Sequence, residues 1–192
     1  MKDIIRLILV LTCVSVVAGL MLSVTNKVTA TPIAIAARKT TVDALSVVLP
    51  AFDNQPDQNV FKVTEADKEW QFYVARKSGV YAGAAFIASS ANGYGGEIRL
   101  MIGITDDGAI KAIQILEQRE TPGLGTKITN DKFKNQFAGK DVAATTWAVT
   151  KDGGQVDAIT GATISSRAVA EAIRSGAAMY TKHLEAIKAQ GQ

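Results

Sequence analysis

The residues best suited to chemistry lie in a run of small and hydroxyl side chains at 157–167 (DAITGATISSR). Within it, Thr160, Gly161, Ala162 and Thr163 precede a segment with helical periodicity. The first turn of a helix offers unpaired backbone N–H groups and a partial positive charge, so a phosphate is stabilised there. The same hydroxyl residues, with Ser165 and Ser166, are also favoured N-caps, and an ordinary helix cap is the alternative interpretation.

Two glycine-rich loops are the other candidate binding elements. They are residues 92–97 (NGYGGE) and 120–127 (ETPGLGTK). Glycine allows backbone amides to approach a flat ring or an anion closely. Neither loop has the G-x-G-x-x-G spacing of a dinucleotide site, so a Rossmann fold is not indicated. Taken alone, each loop is also typical of a plain turn.

Composition excludes several kinds of site. The chain has one cysteine, Cys13, and one histidine, His183, which rules out an internal disulfide, a four-cysteine cluster and a bis-histidine haem. Any redox chemistry would therefore need an organic cofactor. The net charge is only +3 and dense Lys/Arg runs are absent, so nucleic-acid binding is not expected.

The N-terminal segment 4–26 is apolar, and Leu7 to Asn26 carries no charge. Those residues would span about 30 Å as a helix, the thickness of a bilayer core. Lys2 and Arg6 precede the uncharged run and favour a cytoplasmic N-terminus, which would place the rest of the chain on the extracytoplasmic side. The alternative is a signal peptide cleaved near Ala30, but the apolar run is longer than is typical of such signals.

The remaining pattern predicts a meander of strands between helices. A short helix is expected at 37–49, ended by Pro50, followed by a turn-rich linker at 50–59. Alternating apolar residues and the turn signals Ser78-Gly79 and Asp107-Gly108 predict antiparallel strands around 70–74, 80–88, 98–104 and 110–116.

The C-terminal third is expected to add helices to this sheet. A short helix is predicted at 130–138, a further strand at 142–149, and a long helix from near Thr163. One face of that helix is apolar: Val169, Ile173, Gly176, Tyr180, Leu184 and Ile187. The fold class is therefore α+β, with one N-terminal transmembrane helix and a mostly antiparallel sheet packed with helices.

The pattern Asp157-x-x-Thr160-Gly161-Ala162-Thr163 resembles the acceptor motif for covalent FMN in the FMN-binding domain family. That family includes the G subunit of the Rnf (Rsx) ion-translocating complex and the C subunit of the sodium-pumping NADH:quinone reductase. The N-terminal span and the run 94–128, above all Glu-Thr-Pro-Gly-Leu-Gly at 120–125, are also similar to the Rnf G subunit.

The resemblance implies that a flavin transferase attaches FMN to Thr163 through a phosphodiester, with Asp157 as the acidic residue of the recognition signature. Thr163 would be a tether, and the chain would contain no catalytic residue. Contacts to the flavin ring are expected from Glu120, Thr121, Gly123, Leu124, Gly125 and Thr126. The phosphate is expected near Thr160, Ser165 and the amides of 164–166, with Lys127 offsetting its charge. Gly161 and Ala162 would leave space there, and Tyr94 and Trp147 are candidates to border the ring.

The resemblance also implies a function and a domain plan. The chain would be an electron-carrying subunit of a membrane-bound oxidoreductase complex that couples electron flow between NADH and ferredoxin to ion movement. Residues 1–26 would be the anchor, 27–60 a helix and linker, and 61–192 the covalent FMN-binding domain. The alternatives are an FMN subunit of another membrane redox or regulatory complex, an anchored module that binds its ligand non-covalently, and an inert structural subunit.

Overall fold

The N-terminal helix is the longest element of the chain. In a computed structural model, which describes residues 2–65 and 68–190, contacts divide the chain after Thr40 into two compact units. Helix α1 runs from Lys2 to Val48, and its most apolar stretch has a mean hydropathy of 2.7 with no residue buried in protein. By length and composition, this helix can cross a membrane.

The helix predicted at 37–49 is confirmed as far as Val48, but it is not a separate helix, because residues 37–48 are the last turns of α1. The helix passes through Pro32 and ends at Val48, just before Pro50 as expected. Thr25, Thr29 and Thr40 donate their hydroxyl protons to carbonyls one turn earlier, so these polar side chains are satisfied inside the helix. The sequence between the two predicted helices therefore contains no effective stop signal.

A five-stranded antiparallel sheet forms the centre of the second unit. Its strands pair in sequence order, which confirms the predicted meander. They are β1 (Val60–Glu65), β2 (Lys68–Lys77), β3 (Val80–Gly93), β4 (Gly96–Thr105) and β5 (Ile110–Glu117). Strand β1 lies where the sequence analysis predicted none. It is an edge strand with no fully buried residue, so its apolar signal is weak.

The long C-terminal helix α3, Thr163–Ala189, packs on one face of the sheet and begins where it was predicted. Its predicted apolar face is buried, apart from Leu184, which is partly buried. A Cβ added at Gly176 would lie 2.2 Å from the ring of Phe86, so glycine allows the helix to approach β3 closely.

The opposite face of the sheet is covered in part by the end of α1. Ala44, Leu45 and Val48 pack against buried side chains of β2, β3 and β4. A Cβ at Gly103 would lie 2.0 Å from the Val48 carbonyl oxygen, so the end of the helix rests directly on the β4 backbone. The Lys111 ammonium donates a hydrogen bond to the Leu49 carbonyl, which is a favourable contact at a helix C-terminus.

The strand predicted at 142–149 does not form. The segment is a series of turns with isolated bridges at its ends, between Ala109 and Asp141 and between Val149 and Val156. The Asp141 carboxylate accepts two backbone amides at 2.7 and 2.8 Å, which closes a turn where extended backbone was expected. Local side-chain bonding therefore overrides the apolar alternation.

The predicted short helix at 130–138 is confirmed in two pieces. Helix α2 covers Asp131–Lys134 and continues as a 3-10 turn, Asn135–Phe137. Another 3-10 turn, Gly125–Thr129, precedes it and leads out of the second glycine loop. This irregular segment lies between that loop and the hydroxyl motif.

Candidate functional site

The hydroxyl motif forms the turn into α3, and its hydroxyls do not cap the helix. The N-cap is Ala162, without a side-chain hydrogen bond. Gly161 has φ +80°, and the Ala162 amide donates to the Ile159 carbonyl at 2.9 Å. Ser166 fastens the turn: its hydroxyl accepts the Ile159 amide and donates to the Ala162 carbonyl, both at 3.0 Å. The first-turn amides of α3 are therefore not used by a side-chain cap.

Thr163 opens onto a cleft of about 480 Å³, here called the first cleft. Three segments that are distant in sequence meet there: the β3–β4 turn, the second glycine loop and the start of α3. The lining residues are Tyr94, Glu120, Thr121, Leu124, Gly125, Gly161, Ala162, Thr163, Ile164 and Ser165. Most of the predicted ring-contact and phosphate-contact residues are thus brought together around the Thr163 hydroxyl.

Gly123 and Thr126 do not line the first cleft, but they shape the loop that does. Gly123 has φ +76°, and its amide donates to the Thr126 hydroxyl at 3.0 Å. The Thr126 amide returns to the Thr121 carbonyl at 3.3 Å. These contacts turn Leu124, which is 45% exposed, towards the cleft.

Glu120 lies buried in the wall of the first cleft. Its carboxylate accepts the Ser165 hydroxyl at 2.6 Å and the Gly95 amide at 3.0 Å. The single hydroxyl proton of Ser165 is thereby committed to Glu120, so a phosphate contact from that hydroxyl would require this bond to break.

A second cleft, of about 320 Å³, lies on the other side of the motif. It is lined by Lys127, Asn130, Lys132, Phe133, Gln136, Asp157, Ala158, Ile159 and Thr160. The structure therefore splits the motif, because Asp157 and Thr160 face the second cleft whereas Gly161 to Thr163 face the first. Lys127 and Thr160, both expected near the phosphate, are placed together in the second cleft.

Gln136 holds the motif in position at the second cleft. Its amide oxygen accepts the Asp157 backbone N–H at 2.7 Å, and its amide nitrogen donates to the Asp157 carbonyl at 3.3 Å. The Asp157 side chain itself is exposed and makes no hydrogen bond or ion pair within residues 2–65 and 68–190.

The two aromatic candidates occupy different environments. Tyr94 is 71% exposed at the β3–β4 turn and borders the first cleft. Trp147 is buried in the core, where its ring stacks on Phe137 at 6.3 Å and its N–H donates to the Val142 carbonyl at 2.9 Å. The structure does not place Trp147 in the lining of either cleft.

Glu171 connects α3 to the strand end that leads to Tyr94. It accepts hydrogen bonds from Asn92 at 2.8 and 3.1 Å and from Ser90 at 2.8 Å. The bonds from Asn92, followed by that from Ser90, hold the pKa of the Glu171 carboxyl below its ordinary value. The wall of the first cleft that carries Tyr94 is thus fixed to the same helix that begins at Thr163.

Three further residues at the clefts, Ile164, Gln136 and Glu171, were not among those predicted from the sequence. Ile164 lies at the first cleft and is 47% exposed. An apolar residue among the hydroxyl residues at the start of a helix could have been recognised from the sequence as a candidate contact. Gln136 contacts Asp157, which is 21 residues away in sequence. Glu171 contacts Asn92, which is 79 residues away. A local sequence pattern contains no signal for contacts of that kind.

The first cleft fits a flavin nucleotide. Its volume lies within the range of about 300–1,000 Å³ that is usual for small-molecule sites. Leu124, Ile164 and Tyr94 provide apolar and aromatic surface for a ring, while the uncapped start of α3 provides amides for a phosphate next to Thr163. The arrangement therefore suits a phosphate ester at Thr163 with a flat ring beside the second glycine loop.

Comparison with known proteins gives a consistent result. Residues 93–178 match the FMN-binding domain family. The G subunit of the ion-translocating oxidoreductase complex of Cereibacter sphaeroides is 36% identical over 177 residues, covering 88% of this chain and 80% of that protein. The G subunit of the Na(+)-translocating ferredoxin:NAD(+) oxidoreductase complex of Acetobacterium woodii is 30% identical, covering 93% of this chain and 92% of that protein.

Solved structures agree on the fold. The C subunit of the Na(+)-translocating NADH-quinone reductase of Parabacteroides distasonis aligns with a TM-score of 0.51 and 28% identity, over 64% of this chain and 65% of that chain. NqrC of Shewanella oneidensis gives a TM-score of 0.52 over 72% of this chain and 76% of that chain, and at 18% identity it supports the fold alone. From its relatives and its FMN-binding domain, the chain belongs to the G-subunit family of ion-translocating oxidoreductase complexes.

Proposed function

We propose that this chain is an electron-carrying subunit of a membrane-bound, ion-translocating oxidoreductase complex, and that it carries FMN joined to Thr163 by a phosphodiester. The observation that carries the proposal is the position of Thr163, the first residue of α3, in the cleft where the two glycine loops meet. The relative named as a subunit of a Na(+)-translocating ferredoxin:NAD(+) oxidoreductase complex supports a place in electron flow between those carriers.

Attachment makes Thr163 a tether. The Thr163 oxygen bonds to the FMN-side phosphorus of FAD, the pyrophosphate bond breaks and AMP leaves, while the threonine proton passes to a base of the transferase. The bound flavin supplies the electron chemistry, and the protein supplies position and electrostatics. Thr121, Leu124 and Gly125, which line the first cleft, would border the ring, and the first-turn amides of α3 would hold the phosphate.

The second cleft is the side from which the flavin transferase reads the motif. Asp157 and Thr160 belong to the recognition signature but face away from the first cleft. The Asp157 carboxylate is exposed, and Gln136 fixes its backbone, so the acidic group is presented in a set position. Lys127 and Lys132 add positive charge to the same surface.

In the proposed membrane arrangement, residues 1–26 are the anchor, residues 27–60 a helix and linker, and residues 61–192 the flavin domain. Lys2 and Arg6 favour a cytoplasmic N-terminus, which would put the flavin domain on the extracytoplasmic side. Tethering suits that side of the membrane, because a covalent flavin cannot diffuse away. The other subunits of the complex are the expected electron-transfer partners.

The full-length chain made together with a flavin transferase tests the attachment. Denaturing electrophoresis should show flavin fluorescence in the protein band, and peptide mapping should place the mass of FMN minus one water within residues 157–167. Thr163→Ala should abolish both signals, whereas Thr150→Ala removes an exposed hydroxyl outside both clefts and should leave the adduct at Thr163. A flavin that is lost on denaturation would instead identify a reversible binding module, and an adduct retained in Thr163→Ala would contradict the assignment.

A further inference from the structure

We infer that Glu120 is a fixed negative charge that lowers the reduction potential of the flavin in the first cleft. This inference rests on the proposed attachment at Thr163 and adds a role that cofactor contact alone does not imply. It concerns a positioning and tuning residue, since Glu120 acts through its charge and through the segments that it joins.

The first observation is the burial of an acidic group without a counter-ion. Glu120 is 5% exposed, and it is the only buried acidic residue in the described parts of the chain. Within residues 2–65 and 68–190, no lysine, arginine or histidine forms an ion pair with it. An unpaired buried charge is costly to folding, so its presence in a cleft wall calls for a function.

The second observation is the hydrogen-bond pattern. Oε2 accepts the Ser165 hydroxyl and Oε1 accepts the Gly95 amide, so both oxygens act as acceptors, as in an ionised carboxylate. The two donors come from α3 and from the β3–β4 turn. The carboxylate is therefore held still by partners that carry no net charge and do not neutralise it.

The third observation is the glycine cradle around this side chain. A Cβ at Gly125 would lie 2.5 Å from Glu120 Oε2, and a Cβ at Gly93 would lie 2.3 Å from the Gly96 carbonyl oxygen and 2.7 Å from Glu120 Oε1. Neither glycine needs an unusual backbone conformation at these positions, since only Gly96 and Gly123 of the two loops have positive φ. Their lack of a side chain instead makes room for the carboxylate, which fixes where the charge lies.

The electrostatic consequence has a definite sign. Two-electron reduction of a flavin with uptake of one proton adds a net charge of −1 to the ring. A carboxylate fixed in the same cleft disfavours that added charge, and the effect is strong where water is excluded. Removal of the charge at Glu120 should therefore make reduction easier.

The test is a spectroelectrochemical titration of the full-length, covalently flavinylated chain in detergent, with dithionite as the reductant and water as the proton source. Glu120→Gln should raise the equilibrium constant for reduction about tenfold, or about 30 mV for a two-electron couple. Glu117→Gln is the matched control. It removes an exposed carboxylate three residues earlier, which pairs with Arg99, and should change the constant less than threefold.

Ser165→Ala separates a charge effect from a structural one. It removes one donor but keeps the carboxylate, whose charge is then less offset, so the equilibrium constant for reduction should fall at least threefold while Glu120→Gln raises it. A change below threefold in Glu120→Gln, an equal rise in Glu117→Gln, or a rise in both Glu120→Gln and Ser165→Ala would overturn the inference. If Glu120→Gln yields no flavinylated protein, a fall of at least threefold in Ser165→Ala supports the inference and any other value overturns it.

These outcomes are distinct from failure of the proposed function. A wild-type chain without a covalent flavin contradicts the attachment at Thr163. A wild-type chain with the flavin, and potentials that do not respond to residue 120, contradicts only the role of Glu120.

Discussion

The two clefts beside the hydroxyl motif differ in character although one short turn separates them. The first contains Thr163 and is lined by glycine, apolar residues and one buried carboxylate. The second contains Asp157 and is lined by two lysines and by amide side chains. The first has the properties of a surface that holds a ring, and the second those of a surface that meets a polar partner. One sequence motif therefore contributes to two surfaces. Variants of the second cleft should impair attachment of the flavin, and variants of the first should change how the attached flavin is held.

Disruption of the second cleft should have the largest effect of the changes considered. It should slow attachment of the flavin and leave the first cleft unchanged. Asp157→Asn removes the exposed charge, and Gln136→Ala releases the backbone of Asp157. Each should slow flavin incorporation by the transferase about tenfold, equivalent to about 1.4 kcal/mol. The measurement is in-gel flavin fluorescence against time after FAD is added to purified apo-protein and transferase.

Two exposed residues provide controls for these variants. Asp106→Asn makes the same charge change at the β4–β5 turn, and Gln155→Ala removes an exposed amide just before the motif. Both should incorporate flavin at the wild-type rate. If Asp157→Asn attached flavin normally but altered its spectrum, the division of roles between the two clefts would be wrong.

Gly125→Ala should affect the first cleft and leave the second intact. The new Cβ would lie 2.5 Å from Glu120 Oε2 and 2.7 Å from the Ser165 hydroxyl, so the loop must move. Overpacking of this kind costs about 1–3 kcal/mol of stability. The attached flavin should also be less restrained, which urea unfolding and fluorescence anisotropy would detect together.

Gly123→Ala separates strain from crowding in the same loop. A Cβ there meets nothing within 4 Å, but φ is +76°. It should cost about 1–2 kcal/mol through backbone strain, with a smaller change in anisotropy than Gly125→Ala. Equal anisotropy in both variants would show that the close contact at Gly125 does not shape the cleft.

The smallest effect is expected at Glu171, which fixes the Tyr94 side of the first cleft. Its pKa is lowered in the folded state, chiefly by the bonds from Asn92 and then from Ser90. The ionised Glu171 carboxylate thus stabilises the folded state at pH values above the unfolded-state pKa. This contribution is lost as the pH falls through the lower folded-state pKa. Glu171→Gln should cost about 1 kcal/mol at pH 7, a figure reduced for partial exposure, and less in acid.

Urea unfolding of wild type and Glu171→Gln at pH 7 and at pH 3 measures that difference. A gap in unfolding free energy of equal size at both pH values would mean that the ionised form of Glu171 does not stabilise this side of the cleft. Incorporation of flavin by the transferase should be unchanged in this variant, because the second cleft is not involved.

Much of this arrangement was accessible from local patterns. The alternation of apolar residues predicted the meander, and the apolar face of α3 predicted its packing, because both depend on a periodicity that neighbouring residues share. The prediction of a strand at 142–149 was wrong because the conformation of this segment does not depend on apolar periodicity. A single carboxylate, Asp141, closes a turn there, and the burial of Trp147 depends on Phe137 from another segment.

The order of residues along the chain was enough to reveal an apolar span, an antiparallel α+β domain and an acceptor-like threonine, since each is a short-range signal. Folding was needed to divide the motif between two clefts, to bury Glu120 against two glycines and to leave Trp147 in the core. These features arise from contacts between residues far apart in sequence. The direction in which a side chain faces depends on such contacts, and no local pattern contains them.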